Sequence, residues 1–324
     1  MTSRSKGTTI AVANLQTRHN KAANLQAIRS FIKEAASKKV RLLVFPEGAL
    51  QGYPSGTGNH NADEFAYQYS QAETIPGPST EVIARDARAH GMTVVFGLTE
   101  LAGTMGLAGL LFNSVAIVGP AGLLGVYRKV HTGDVEKQIW HRGSEFPVVE
   151  TSVGKIGAFI CYDVVFAEAA RILALQGASI LVMSTAWTTT PNNPPLLLGY
   201  DLFTRARALE NQVWLAASNQ TGTDVDTGME YLGRSRIVNP NGEVVLELGR
   251  EEGLGVATLD IEEGIIASRA RGWFGQVFLR DRAPETYQLV ADRGIYSPPV
   301  ATGNRTSPAT VKRSGPRAKR RSAR

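Results

Sequence analysis

The 324 residues suffice for one large domain or two small ones, and 43% hydrophobic with 20% charged residues is an ordinary globular composition with ample material for a core. A single cysteine excludes an intrachain disulfide and a cysteine-tetrad zinc site, no H-E-x-x-H motif is present, and a lone thiol suits the reducing cytoplasm. The formal net charge of +6 comes from the C-terminus: residues 301–324 hold eight Lys and Arg and no Asp or Glu, and without them +6 becomes −2.

Residues 1–7 read as a flexible start without the apolar stretch of a secretory signal, and no later run approaches the roughly 18 apolar residues of a membrane span. Residues 8–15 (TTIAVANL) alternate as a half-buried strand. Residues 20–38 predict a helix with Leu25, Ile28, Phe31, Ile32 and Ala35 on one face. Residues 42–45 predict a short buried strand that stops at Pro46. Residues 51–79 are polar with scattered Gly and Pro and predict a long loop, a length that usually serves function. A helix over 81–90 and a strand over 93–98 follow. Residues 114–118 and 123–127 then pair as a hairpin through Gly119-Pro120-Ala121-Gly122.

A strand over 156–160 runs into Cys161, and a helix over 167–176 ends at Gly177, a capping residue. A strand over 180–183, a helix over 202–211 and a strand over 213–217 continue the alternation. Residues 234–239, 243–248 and 254–259 read as strands with a turn at Asn241-Gly242, the strongest short hairpin signal. The last element spans 261–270, and irregular chain runs on to about 300. Strand–helix units mixed with hairpins predict an α/β domain on a mixed sheet. Residues 301–324, basic and almost without apolar side chains, predict a disordered tail.

Three chemically complementary groups stand at strand ends, where open α/β sheets bind ligands. Cys161 sits between a buried strand and a helix start, where unpaired N–H groups favour a thiolate. A buried structural cysteine is the competing reading. Glu47 follows an apolar strand between Pro46 and Gly48, and burial would raise its pKa toward that of a general base. A loop carboxylate capping a helix is the alternative. Lys129 shares a face with Tyr127 and His131, opposite Arg128; its alternative is a solvated basic edge. Glu136, seven residues on, is placed to orient the lysine or an attacking water.

Four stretches stand in order: Phe45-Pro46-Glu47-Gly48-Ala49-Leu50-Gln51-Gly52-Tyr53-Pro54, Tyr127-Arg128-Lys129-Val130-His131, Gly157-Ala158-Phe159-Ile160-Cys161-Tyr162-Asp163 with Glu168 and Arg171, and Arg205-Ala206-Arg207-Ala208-Leu209-Glu210-Asn211-Gln212. Together they resemble the nitrilase (carbon–nitrogen hydrolase) superfamily, in its amidase-like branch, over roughly residues 8–290. The resemblance implies a four-layer α-β-β-α sandwich over residues 8–300, paired into homodimers or larger assemblies. It implies Glu47 as base, Lys129 as electrostatic stabiliser and Cys161 as nucleophile, with the ammonium, not a histidine, favouring the thiolate. Glu136 matches the second glutamate of many members. The backbone N–H of Tyr162 joins Lys129 at the oxyanion. No metal or organic cofactor is required. The expected reaction hydrolyses a small amide or carbamoyl compound through a cysteine thioester and releases ammonia or an amine.

Tyr162 and Asp163 stand where nitrile-cleaving members usually carry Trp and Glu. That favours an amide, with nitrile hydrolysis to an acid as the alternative. Ala167 stands where many relatives have Pro. Tyr53, Trp140 and Trp187 are expected in the substrate pocket, against the plainer reading of core or rim aromatics. Two other classes compete: a binding or redox-sensing protein that keeps the fold, and nucleic-acid binding through residues 305–324. Basic tails bind phosphates without sequence preference, but this one has no aromatic residue for base stacking, and a solvated tail is the simpler reading. Neither G-x-x-x-x-G-K-[ST] nor G-x-S-x-G occurs.

Overall fold

The computed structural model describes residues 7–54, 61–102, 109–133, 135–189, 194–225 and 228–291. The readings of residues 1–6 and 301–324 lie outside the described residues. The first half of the chain runs β1 (Thr8–Asn14), α1 (Lys21–Ser37), β2 (Leu42–Val44), α2 (Asn61–Gln71), α3 (Pro78–His90), β3 (Thr93–Leu101), β4 (Leu111–Gly119) and β5 (Gly122–Arg128). The second runs β6 (Val148–Thr151), β7 (Gly154–Ile160), α4 (Ala167–Leu175), β8 (Ile180–Thr185), α5 (Pro194–Leu209), β9 (Trp214–Asn219), β10 (Thr221–Thr223), β11 (Glu230–Leu232), β12 (Arg236–Val238), β13 (Val244–Glu247), β14 (Gly253–Leu259) and α6 (Ile261–Ile266). These elements belong to the compact unit Met1–Asp281. In the second unit, Arg282–Arg324, the described residues form 3₁₀ turns at Pro284–Thr286 and Gln288–Ala291.

Two six-stranded sheets carry the first unit, in the orders β14-β1-β2-β3-β4-β5 and β13-β12-β9-β8-β7-β6. Each has a parallel centre, β1-β2-β3 in one and β7-β8-β9 in the other, flanked by antiparallel strands. Parallel strands need crossover connections, and α1, α3, α4 and α5 run within those connections.

The period-two alternation of β1 decides the layering. Ile10 and Val12 point into a core shared with Ala158, Ile160, Val182 and Ala216 of the other sheet. Ala11, Ala13 and Leu15 point the other way, onto Ile28, Ile32 and Ala35 of α1 and Ile83 and Ala87 of α3. On the far side of the second sheet, Leu173 of α4 and Tyr200 and Ala208 of α5 close the core. The result is a four-layer α-β-β-α sandwich. β1 is therefore buried on both faces, not one: the small alanines that read as the outer face are where α1 and α3 pack. Each fully buried Leu or Ile contributes roughly 1.5–3 kcal/mol.

Hydrogen bonds cross between the sheets: Ser218 and Ser235 Oγ both donate to the Ala13 carbonyl at 2.6 and 3.0 Å, and Ser184 Oγ donates to the Phe45 carbonyl at 2.8 Å.

Local signals explain most boundaries. Asn20 caps α1 by accepting from the Ala23 N–H at 3.0 Å, a cap worth about 1 kcal/mol. α3 begins at Pro78, three residues before the expected start, because proline loses no helical partner in the first turn. The expected loop over 51–79 contains α2. Its inward side chain is Gln68, fully buried and bonded to the Thr99 hydroxyl and the Gly52 carbonyl, so no apolar stripe marks the helix. α5 starts at Pro194, eight residues before the expected boundary. β14 follows the β12–β13 hairpin in sequence yet pairs antiparallel with β1, in the other sheet. α6 ends at Ile266 and a π turn, Ala267–Gly272, replaces the rest of the expected helix. No helix among the described residues is long and apolar enough to cross a membrane.

Candidate active site

Glu47 leaves the end of β2 in a tight turn, with Gly48 at φ +62°, the left-handed region that favours glycine. The turn is bonded to β3: Gly97 N–H donates to the Pro46 carbonyl at 3.2 Å and Leu50 N–H to the Gly97 carbonyl at 3.1 Å. Gly97 is required for this approach, because a Cβ there would lie 2.6 Å from both the Pro46 oxygen and the Gly48 nitrogen. Gln220, just past β9, donates to the Glu47 carbonyl at 2.8 Å. The Glu47 backbone is thus clamped from both sheets.

The carboxylate is fully buried and fully bonded. Oε1 accepts from Lys129 Nζ at 2.7 Å and from Asn113 Nδ2 at 2.7 Å, and Oε2 accepts from the Ala186 N–H at 3.0 Å. Lys129, one residue past β5 and 1% exposed, also donates to Glu136 Oε1 at 2.5 Å. Glu136 lies in a 3₁₀ turn, Val135–Gln138, and accepts further bonds from Tyr53 OH at 3.0 Å and the Gly133 N–H at 2.5 Å. The alternatives for these side chains, a helix cap for Glu47 and a solvated edge for Lys129, do not hold.

The ionisation follows from two carboxylates sharing one ammonium. Burial raises Glu47 to about 7, with the Lys129 charge opposing and the Glu136 charge assisting. Burial favours neutral Lys129, but the Glu136 and Glu47 carboxylates outweigh it and hold the ammonium well above its usual range. Glu136, also disfavoured by burial, is pulled below the usual carboxylate range by Lys129, the Gly133 N–H and Tyr53.

Cys161 follows β7 directly and opens a 3₁₀ turn, Cys161–Val165, before α4 begins at Ala167. Its φ is +44°, a region that non-glycine residues rarely adopt and that stores roughly 1–3 kcal/mol. Asp163 holds this turn. Fully buried, it accepts from the Ile160 N–H at 2.9 Å, from Tyr127 OH at 2.6 Å and from the His131 N–H at 3.0 Å, with His131 Nδ1 at 2.8 Å. One carboxylate therefore ties the cysteine turn to the segment that carries Lys129.

Cys161 opens onto a cavity of about 270 Å³ whose wall includes Tyr53, Tyr162, Ala186, Trp187, Leu196 and Met229. Ala186 is the residue that donates to Glu47, so the carboxylate stands directly behind the wall. The charges of Glu47, Lys129 and Glu136 all act on the thiol. Carboxylate and ammonium, 82 residues apart along the chain, meet behind the wall of the cavity onto which the sulfur opens.

Two expectations change. Burial and the Glu47 carboxylate push the Cys161 pKa up, and Glu136 adds to this, against Lys129 and Thr185, a direction opposite to the thiolate expected from the sequence. The direction follows from one ammonium set against two carboxylates and the loss of water. Trp140 does not line the cavity. It is buried with Leu111 and Ile139 and supports Tyr53 from behind, ring centroids 6.0 Å apart. Tyr53 and Trp187 do line it. Sequence reading missed Asn113, a buried asparagine within the apolar run of β4, and gave Asp163 no positioning role.

The profile of the carbon-nitrogen hydrolase family matches residues 9–267. The chain belongs to the carbon-nitrogen hydrolase family. The match stops short of the residues 268–290 that the resemblance had included. This hydrolase is 34% identical over 269 residues to a probable nitrilase of Schizosaccharomyces pombe, covering 82% of this chain and 91% of the relative. It is 34% identical over 266 residues to an omega-amidase of Danio rerio, covering 78% and 88%. Among solved structures it matches an amidase from Nesterenkonia sp. with a TM-score of 0.70 at 25% identity, over 90% of this chain and 98% of that one. The carbon-nitrogen hydrolase is an amidase-like enzyme acting on non-peptide C–N bonds, and its sandwich is the fold of the nitrilase-superfamily amidases.

Proposed function

We propose that Cys161, Glu47 and Lys129 hydrolyse a small-molecule amide through a thioester, with Glu136 positioning the lysine. The observation that carries this reading is a buried carboxylate with a pKa of about 7, bridged to an ammonium at 2.7 Å behind the wall of the cavity that holds a lone cysteine. Glu47 takes the Sγ proton as sulfur bonds to the carbonyl carbon. Two of the three Lys129 donors serve Glu47 and Glu136, and the third serves the oxyanion together with the Tyr162 N–H, which lies in the first turn after Cys161 and lacks a helical acceptor there. Collapse breaks the C–N bond, and Glu47 returns its proton to the departing nitrogen. A water then gives a proton to Glu47 and attacks the thioester, and the leaving sulfur recovers that proton.

The reaction needs Glu47 ionised before substrate binds. Its pKa of about 7 therefore places an acid limb in the pH profile: kcat/KM rises tenfold per pH unit below about 7 and levels above it. Ammonia release from a short amide between pH 5 and 9 checks this, and Glu47→Gln should give a low, flat profile. A wild-type limb centred near pH 4.5 would mean that burial does not raise Glu47, and a limb that survives in Glu47→Gln would mean that another group is the base.

The proposal includes self-association. α4 and α5 leave Ile172, Leu175, Leu198 and Leu202 exposed, each at 40% or more, on helices whose opposite faces close the core. Light scattering should give at least twice the chain mass of 34.9 kDa. A monomer at micromolar concentration would remove this part.

A further inference from the structure

We infer that the acyl group taken by this site is neutral and largely apolar, and that an amide bearing a second, ionised carboxylate is discriminated against. This rests on the amide-hydrolase reading above and names its substrate class. The cavity wall described here contains no Lys, Arg or His. Its apolar surface comes from the Tyr53 and Trp187 rings and from Val135, Leu196 and Met229. The polar tips of the two large rings are already used: Tyr53 OH donates to Glu136 at 3.0 Å, and Trp187 Nε1 donates to the Leu196 carbonyl at 2.9 Å. What they offer a ligand is ring surface.

The nearest ammonium, Lys129, is shared by Glu47 and Glu136, so the charged cluster behind the wall carries one negative charge when both are ionised.

A carboxylate entering this cavity would lose its water, gain no cationic partner and face net negative charge, three unfavourable effects of the same sign. An alkyl or aryl group instead exchanges water for apolar contact. Size agrees: an apolar cavity of about 150 Å³ accommodates benzene, so 270 Å³ admits an arylacetyl group or a chain of similar bulk.

Pentanamide and glutaramate, the monoamide of pentanedioic acid, differ only by a terminal methyl against a carboxylate. Their kcat/KM values for ammonia release at pH 8, measured on the full chain together with phenylacetamide, test the inference. Pentanamide is expected to exceed glutaramate by at least thirtyfold, equivalent to about 2 kcal/mol, with phenylacetamide also turned over. A smaller ratio, or a preference for glutaramate, overturns the inference and leaves the amide-hydrolase reading standing. Ammonia from none of the three would sink that reading and the inference together.

Discussion

Cys161→Ala is expected to lower kcat for amide hydrolysis by roughly 10⁴-fold or more, because the chain has no other thiol to form the thioester. In the proposed mechanism Lys129, Glu47 and the Tyr162 N–H act as a unit with the sulfur, so their effects are not additive with its loss. The fold should be little affected. Cys161 is only half-buried, and alanine removes one atom, so the change in unfolding free energy should stay within about 1 kcal/mol. Two measurements separate chemistry from stability. Mass spectrometry of the wild-type protein, quenched in acid during turnover of a slow amide, should show the acyl adduct on the peptide containing Cys161. Urea unfolding should give the variant a midpoint close to wild type. If the variant kept a tenth of the wild-type rate, the nucleophile would have to be sought elsewhere.

Lys129→Met carries the second large effect, on stability as well as rate. The substitution keeps volume but leaves two carboxylates buried without a cation, Glu47 at 0% and Glu136 at 1% exposure. Removing one partner of a buried pair costs about 3–5 kcal/mol. The pH dependence identifies the cause. Without the ammonium, burial and mutual repulsion raise both carboxyl pKa values in the folded variant above their unfolded values. Stability is then intact below the unfolded values and falls as pH rises through the folded ones. Urea unfolding should therefore show the full deficit at pH 8 and a much smaller one at pH 5. An equal deficit at both would assign the loss to packing. Turnover should be lost at either pH, since the substitution also removes the oxyanion donor.

The two effects differ because of where the charges sit. Sulfur faces the cavity and acts only when substrate is there. The ammonium is part of a buried network that includes Asn113, Tyr53 and the Gly133 and Ala186 N–H groups, and all of these were arranged during folding. Burial and the Glu47 carboxylate push the Cys161 pKa up, against the Lys129 charge. In the proposed mechanism the nucleophile is then activated by proton transfer to Glu47 as substrate arrives, and a free thiol without substrate is the expected resting species.

Much of this was legible locally. The strand ends that deliver Glu47, Lys129 and Cys161 are marked by apolar runs that stop at a proline, a basic pair and a polar turn. The β12–β13 hairpin declared itself through Asn241-Gly242. α2 did not declare itself, because its buried face is a glutamine satisfied by Thr99 and Gly52, and hydropathy cannot register a polar side chain whose partners lie elsewhere in the chain. Trp140 was misplaced for a related reason: an aromatic that touches ligand and one that backs it look alike in a string of letters.

Residue type and spacing by themselves determined which groups could do chemistry, the α/β class and the family to which those motifs point. Tertiary structure alone decided that β14 closes against β1 in the first sheet, that Asp163 ties the cysteine turn to the lysine segment, and that two carboxylates share one ammonium behind an apolar cavity. The reason is physical. Propensity and periodicity act over a few residues, whereas pairing partners, burial and charge balance are set by groups brought together from distant parts of the chain.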